Sequence, residues 1–221
     1  IHLIVTAKNG VSSVELGRRL GVKQPTAWAM KHKIMAVMAR REGERRLAGR
    51  VEMDDAYFGG KRSGRRGRGA AGKTPFVAAV STGSEGRPRK VKLVPVSGFR
   101  KREIARGAPR WLAPGSEVVT DGFGCWRALG EGAYAHRPVL TGSGPKAGRA
   151  ASFKWVNTAL SNIKCATTGT YRKIGPNHAE RYLASFAWRY NRRYQLRTMI
   201  PRFVHSAART QPMPYPTLIA G

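Results

Sequence analysis

The sequence predicts an α/β protein: a mixed five-stranded sheet flanked by helices and preceded by a small helical, helix-turn-helix-like segment. Three observations predict it. Residues 50–58, 74–83 and 89–99 are strand-type runs divided by turn-forming stretches, as sequential antiparallel strands require. Beyond residue 100, strand and helix patterns alternate, as when strands are added in parallel through helices. Residues 1–48 instead show helical periodicity. At 221 residues the chain has room for one domain of about 150 residues and a smaller one. The expected division is a helical segment at 1–48, a sheet domain at 49–200 and a tail at 201–221.

In the helical segment, "SSVE" (12–15) reads as a capping box, with Ser12 as N-cap and Glu15 reaching back. Leu16 and Leu20 follow at helical spacing, and Gly21 and Val22 make a short turn. "KQPTAWAMKHKIMAVMARR" (23–41) starts a second helix, with Pro25 tolerated in its first turn. Ala27, Met30, Ile34, Val37 and Met38 form one apolar stripe along it. A capped helix, a glycine turn and a basic helix make a helix-turn-helix pattern, with Lys23, Gln24, Thr26 and Lys31 as candidates to touch DNA. A plain helical hairpin produces the same short pattern.

"RVEMDDAYF" (50–58) switches to strand character, and "GGKRSGRRGRGAAGK" (59–73) holds six basic residues among glycines. That composition predicts a flexible loop or hairpin tip, and Lys61, Arg62, Arg65 and Arg66 are candidate DNA contacts. A helix is expected at 101–112, a strand ending at Asp121, a brief helix at 125–132 and a strand at 134–140. Residues 141–151 read as a loop, and helices are expected near 153–166 and 176–194. In the last, Ala179, Tyr182, Leu183, Phe186, Ala187 and Tyr190 mark one core-facing side. The resulting order, β-β-β-α-β-α-β-α, is that of the ribonuclease H-like fold. There the middle of the first strand, the end of the fourth and a late helix meet at one edge, which is where Asp54, Asp121 and Asn157 fall.

The balance of charge narrows the partner. With 41 Lys and Arg against 12 acids, the net charge is 41 − 12 = +29, a field that holds polyanions, nucleic acid above all. Further basic clusters at 87–92, 101–110 and 189–197 fit a phosphate-tracking surface, although each alone is equally a solvated face. Cys125 and Cys165 form neither a zinc motif nor a disulfide framework, so a reducing, cytoplasmic setting is expected. No apolar run reaches the roughly 20 residues of a membrane span. The chain begins at Ile1 rather than Met, and we expect it to be a piece of a longer one.

The three aspartates are Asp54, Asp55 and Asp121, and two of them sit side by side with Glu52 on one strand. Phosphodiester chemistry needs hard oxygen ligands that hold divalent cations on a basic surface, and a carboxylate pair completed by substrate phosphate suits Mg²⁺. Ordinary ion pairing is the alternative for Asp54 and Asp55 alone. Spacing favours chemistry: 35 residues separate Asp121 from Asn157, and Lys164 lies seven beyond Asn157, close to two helical turns.

The stretches "LAGRVEMDDAYFGGK", "VVTDGF", "FKWVNTALSNIK", "GTY" and "YLASFAWRYNRR", with "ELGRRLGVKQPTAWAMKHKI" before them, resemble one family in order along nearly the whole chain. It is the bacterial insertion-sequence transposases of the DDE type, in the ISXO-like group with an Asp, Asp, Asn, Lys signature. The resemblance implies that Asp54 and Asp121 are metal-binding carboxylates, Asn157 a third ligand and Lys164 a phosphate-contacting base. It implies two Mg²⁺ or Mn²⁺ ions, strand cleavage at element ends and transfer into target DNA. Double-stranded DNA, a homodimer or larger assembly on it, and a place by the bacterial nucleoid follow. Asp55 stands where relatives commonly have Glu and is expected to orient the site, as is Glu52. The sequence departs from the pattern in Arg172, where relatives often carry His, and no zinc ribbon is seen from Ile1 onward, which fits either its loss or truncation before Ile1. Asn157 is a weaker ligand than a carboxylate. A decayed or domesticated, DNA-binding but inactive relative therefore stays open, as does a nuclease on the same fold.

Overall fold

The computed structural model describes residues 1–58, 73–139, 151–171 and 174–220. Three helices come first: α1 (His2–Thr6), α2 (Ser13–Leu20) and α3 (Gln24–Gly43). Then come β1 (Arg50–Phe58), β2 (Thr74–Thr82), β3 (Pro88–Pro95) and α4 (Lys101–Trp111). They are followed by β4 (Glu117–Thr120), α5 (Arg127–Gly130), β5 (Ala135–Pro138) and α6 (Lys154–Ala166). The chain closes with α7 (Ala179–Asn191), α8 (Leu196–Ala208) and α9 (Tyr215–Ala220). None of the described helices is long and apolar enough to cross a membrane.

The strands form one sheet in the order β3-β2-β1-β4-β5. β1 pairs antiparallel with β2, which pairs antiparallel with β3. On its other edge β1 pairs parallel with β4, and β4 with β5. The expected mixed, ribonuclease H-like sheet is therefore present. The two antiparallel pairs reverse the chain's direction, and the helical crossovers through α4 and α5 allow the parallel ones.

The chain divides into two compact units, and the sheet lies in the one made of Glu44–Phe58 and Lys73–Ile163. Alternation along β1 decides what each face meets. Val51 and Met53, both fully buried, join Val77, Ala79 and Val118 in a core with Ile104, Ala108, Trp111 and Leu129 of the helices. Gly107, in the middle of α4, makes room for that core: a Cβ there would stand 2.1 Å from the Trp111 ring. A mid-helix glycine costs about 1 kcal/mol relative to alanine, less than displacing a buried indole. Glu52 and Asp54 belong to the opposite face by the same alternation.

The other unit contains Ile1–Gly43 and Lys164–Gly221. Ser12 caps α2, its hydroxyl accepting from Glu15 N at 3.0 Å. The reciprocal half of the expected box is replaced: the Glu15 carboxylate takes Arg19 Nε at 2.6 Å, an i,i+4 partner that competes with the backbone. Gly21 ends α2 in the left-handed conformation at φ 66°, a cap that favours glycine, and α3 follows three residues later.

Several expectations change in this unit. The α3 stripe is only part of its buried surface: Ala27 and Met38 are buried, Met30 is exposed, and Lys31, His32, Met35 and Glu42 are buried instead. Helix α7 is buried along Arg181–Arg189 on every side rather than on one stripe. Arg189 and Arg192 of the expected basic cluster are therefore interior, Arg192 pairing with Glu42 at 2.6 Å. The stretch read as a tail contributes α9 and most of α8, with Phe203 and Leu218 buried. A core of Ile4, Val5, Leu16, Met38, Trp188, Met199 and Phe203 explains why: α8 supplies apolar side chains that α1 and α7 need as cover.

Candidate metal and catalytic site

β1 and β4 run parallel, so their carboxyl ends lie at the same edge, the place where open α/β sheets hold ligands. Their pairing runs only from Arg50–Glu117 to Glu52–Val119. Beyond Glu52, β1 continues alone on that side while β4 ends at Thr120. The chain then bends at Gly122, whose φ of 77° favours glycine.

Asp121 stands at this bend, and its position is held twice. Its Oδ1 accepts from Phe123 N at 3.1 Å, closing a turn on its own backbone. The same oxygen accepts from the indole Nε1 of the buried Trp126 at 3.0 Å. Thr120, one residue earlier, is tied to β5 by a 2.9 Å bond between its hydroxyl and His136 Nε2. Burial holds the His136 pKa below the usual imidazole value.

Carboxylate oxygens of Asp54, Asp55 and Asp121 all lie within 4.8 Å of one another, and all three residues are half-buried. Strict alternation sets Asp54 and Asp55 on opposite faces of a strand. They converge where β4 no longer pairs with β1, across the edge left open past Glu52. Asp54 Oδ1 also accepts from Asp55 N at 2.8 Å, which fixes its rotamer toward its neighbour. Two unit charges 4.8 Å apart repel by roughly 3 kcal/mol at an effective dielectric near 20, so such a grouping favours a cation among its oxygens. Hard carboxylate oxygens at this spacing fit a divalent ion such as Mg²⁺ or Mn²⁺.

Asn157 is half-buried in the first turns of α6, and Lys164 is exposed further along the same helix. The start of α6 is fastened to β1 by Glu52, whose Oε2 accepts from Trp155 N at 2.8 Å and Val156 N at 3.0 Å. Burial raises the Glu52 pKa, against the lowering effect of those two amides and of Arg50. Sequence reasoning gave Glu52 a general orienting role and missed its partners. The available signal was its i, i+2 relation to Asp54, which puts both on one strand face. The hold of Trp126 on Asp121, five residues away, carried no such signal.

Among the expected DNA contacts, Lys23, Gln24 and Thr26 are exposed at the start of α3, and Gln24 Nε2 donates to Ser13 Oγ of α2 at 2.8 Å. Lys31 is not exposed. It is 2% accessible and donates to Tyr182 Oη at 3.1 Å, because its position on α3 faces α7 rather than solvent. Lys61, Arg62, Arg65, Arg66 and Arg172 lie outside the described residues.

The profile of the ISXO2-like transposase domain matches residues 46–191, the stretch that contains β1, β4, the carboxylates and α6. The chain belongs to this family. No match is found among curated proteins. The ISXO2-like transposase domain thus covers the whole sheet, and with it every residue of the site.

Proposed function

We propose that the chain is a DNA transposase that cuts DNA at the ends of an insertion sequence and joins the freed end to target DNA. The observation that carries this reading is the convergence of Asp54, Asp55 and Asp121 at the carboxyl edge of a transposase-family sheet. Asp54, Asp121 and Asn157 would hold two Mg²⁺ or Mn²⁺ ions, with Asp55 as a further oxygen donor in reach. Bound there, the ions supply Lewis acidity and charge for in-line displacement at phosphorus.

The protein's own groups do the rest. Asp121 is aimed before substrate arrives, because Phe123 N and the Trp126 indole hold its oxygen. Cleavage forms a bond from water oxygen to phosphorus and breaks the bond to the 3′ oxygen, which leaves as a hydroxyl. Transfer repeats the displacement with that hydroxyl as nucleophile on a target phosphodiester. The Lys164 ammonium contacts a phosphate, and the Asn157 amide leaves the site one charge more positive than a carboxylate would, which suits an incoming phosphodiester. Lys23, Gln24 and Thr26, with Lys61, Arg62, Arg65 and Arg66, contribute DNA contacts, and a homodimer or larger assembly holds two ends. This work takes place on the double-stranded DNA of the bacterial nucleoid.

Supercoiled DNA bearing element ends, incubated with the protein and Mg²⁺, tests the reading. Metal-dependent 3′-hydroxyl ends are expected, lost at least about 10³-fold in Asp121→Ala while DNA binding in EDTA persists. Cleavage that survives in Asp121→Ala rejects the site. Binding with no cleavage by either protein favours an inactive, DNA-binding relative.

A further inference from the structure

Glu52 is the buried carboxylate beside the site to which the proposed chemistry gives no task. Its side chain is 1% exposed, and both oxygens are engaged. Oε2 receives the N–H groups of Trp155 and Val156 at 2.8 and 3.0 Å, and Oε1 faces Arg50 Nη1 at 3.5 Å. The two amides open α6, where backbone N–H groups lack intrahelical acceptors and the helix dipole is positive. α6 has no acidic residue in its own first turn, so the carboxylate that usually stands there comes from β1 instead. A second link acts at the same point: the Trp155 indole Nε1 donates to Gly86 O, in the turn between β2 and β3, at 2.6 Å.

Asn157 follows Val156 directly. Glu52 and Asp54 share a face of β1, two residues apart. We infer that Glu52 is a positioning residue for the metal site: by fastening the first turn of α6 to the strand face it shares with Asp54, it sets where the Asn157 amide stands against the carboxylates. The inference rests on the reading of Asn157 as part of the site. The fastening itself stands on the two hydrogen bonds alone.

A double-mutant cycle on the whole chain tests it. Glu52→Gln keeps an amide oxygen for both N–H groups and is expected to stay within about fivefold of the parent in cleavage, whereas Glu52→Ala loses about 100-fold, the cost of a misplaced group. DNA binding in EDTA stays equal in both. In an Asn157→Ala background, Glu52→Ala is expected to cost less than about threefold more, because the group it positions is gone. A full 100-fold loss in that background, or a Gln variant as poor as Ala, overturns the inference.

Amide hydrogen exchange separates this from the function itself. Trp155 and Val156 are expected to exchange faster in Glu52→Ala and at parental rates in Glu52→Gln, whether or not the parent cuts DNA. If the parent shows no cleavage, the proposed activity fails and exchange alone decides the anchor. Equal exchange in parent and Glu52→Ala overturns it.

Discussion

In the sheet unit the buried Glu52 carboxylate meets two backbone N–H groups and the Arg50 guanidinium. In the helical unit the buried Lys31 and His32 meet rings and other cations: Tyr182, His178, Arg181 and Arg189. His32 stacks on Trp28 at 4.1 Å, its Nε2 lies 3.4 Å from Tyr182 Oη, and its Nδ1 lies 3.4 Å from Arg181. The buried Glu52 carboxylate is thus surrounded by donors, as is Glu42 by Arg192 in the helical unit. Around Lys31 and His32, burial and like charge instead work against protonation. The contrast teaches that buried polar groups serve different ends here: Glu52 fastens the start of α6 to β1, and Lys31 and His32 make stability depend on pH.

Acid should expose that difference most strongly. Burial first, then Lys31, His178 and Arg181, lower the His32 pKa from 6.5 to about 3. Below pH 6.5 the unfolded chain takes up a proton that the folded one refuses, so stability is complete above 6.5 and is lost as pH falls toward 3. The loss should be on the order of 4 kcal/mol, read by denaturant unfolding across that range, and His32→Phe should remove most of the slope. A parent and variant with parallel profiles would break the comparison.

Lys31 should give a smaller effect in a different window. Burial, then Arg189, lowers its pKa from 10.5 to about 8. Between those values the unfolded chain again holds the extra proton, so stability rises from pH 8 toward 10.5 and is lowest below 8. Lys31→Met should therefore stabilise the protein at pH 7 by about 2 kcal/mol, after allowing for the bond lost to Tyr182, and flatten the profile between pH 8 and 10. A destabilised Met variant would show that the ammonium is better housed than its surroundings imply.

Much of the sheet was legible in the residues. β-branched runs divided by turn-forming stretches fix three antiparallel neighbours, and Asp121 at the end of a short apolar run marks the fourth strand's carboxyl end. The helical unit was less so. Lys31 looks like a DNA contact in a basic helix, because the linear pattern does not show that α7 packs against that side of α3. The Arg and aromatic residues of α7 hide its burial for the same reason: an interior helix usually reads as apolar all round, and Arg181 and Arg189 disguise this one. In the site, strand order points to Asp54 and Asp121, and their roles are what the family resemblance implies. The closeness of Asp55 depends on where β4 stops pairing, a property of register that composition does not encode.

The central claim is that Asp54, Asp55 and Asp121 form one cation site, and titration with Mn²⁺ alone tests it most directly. On a chain of net charge +29, divalent cations are repelled from most of the surface, so calorimetry should register this site above background. The parent is expected to bind Mn²⁺, with affinity at least about tenfold weaker in Asp121→Asn and in Asp54→Asn. Equal Mn²⁺ affinity in the parent and both variants would contradict the account.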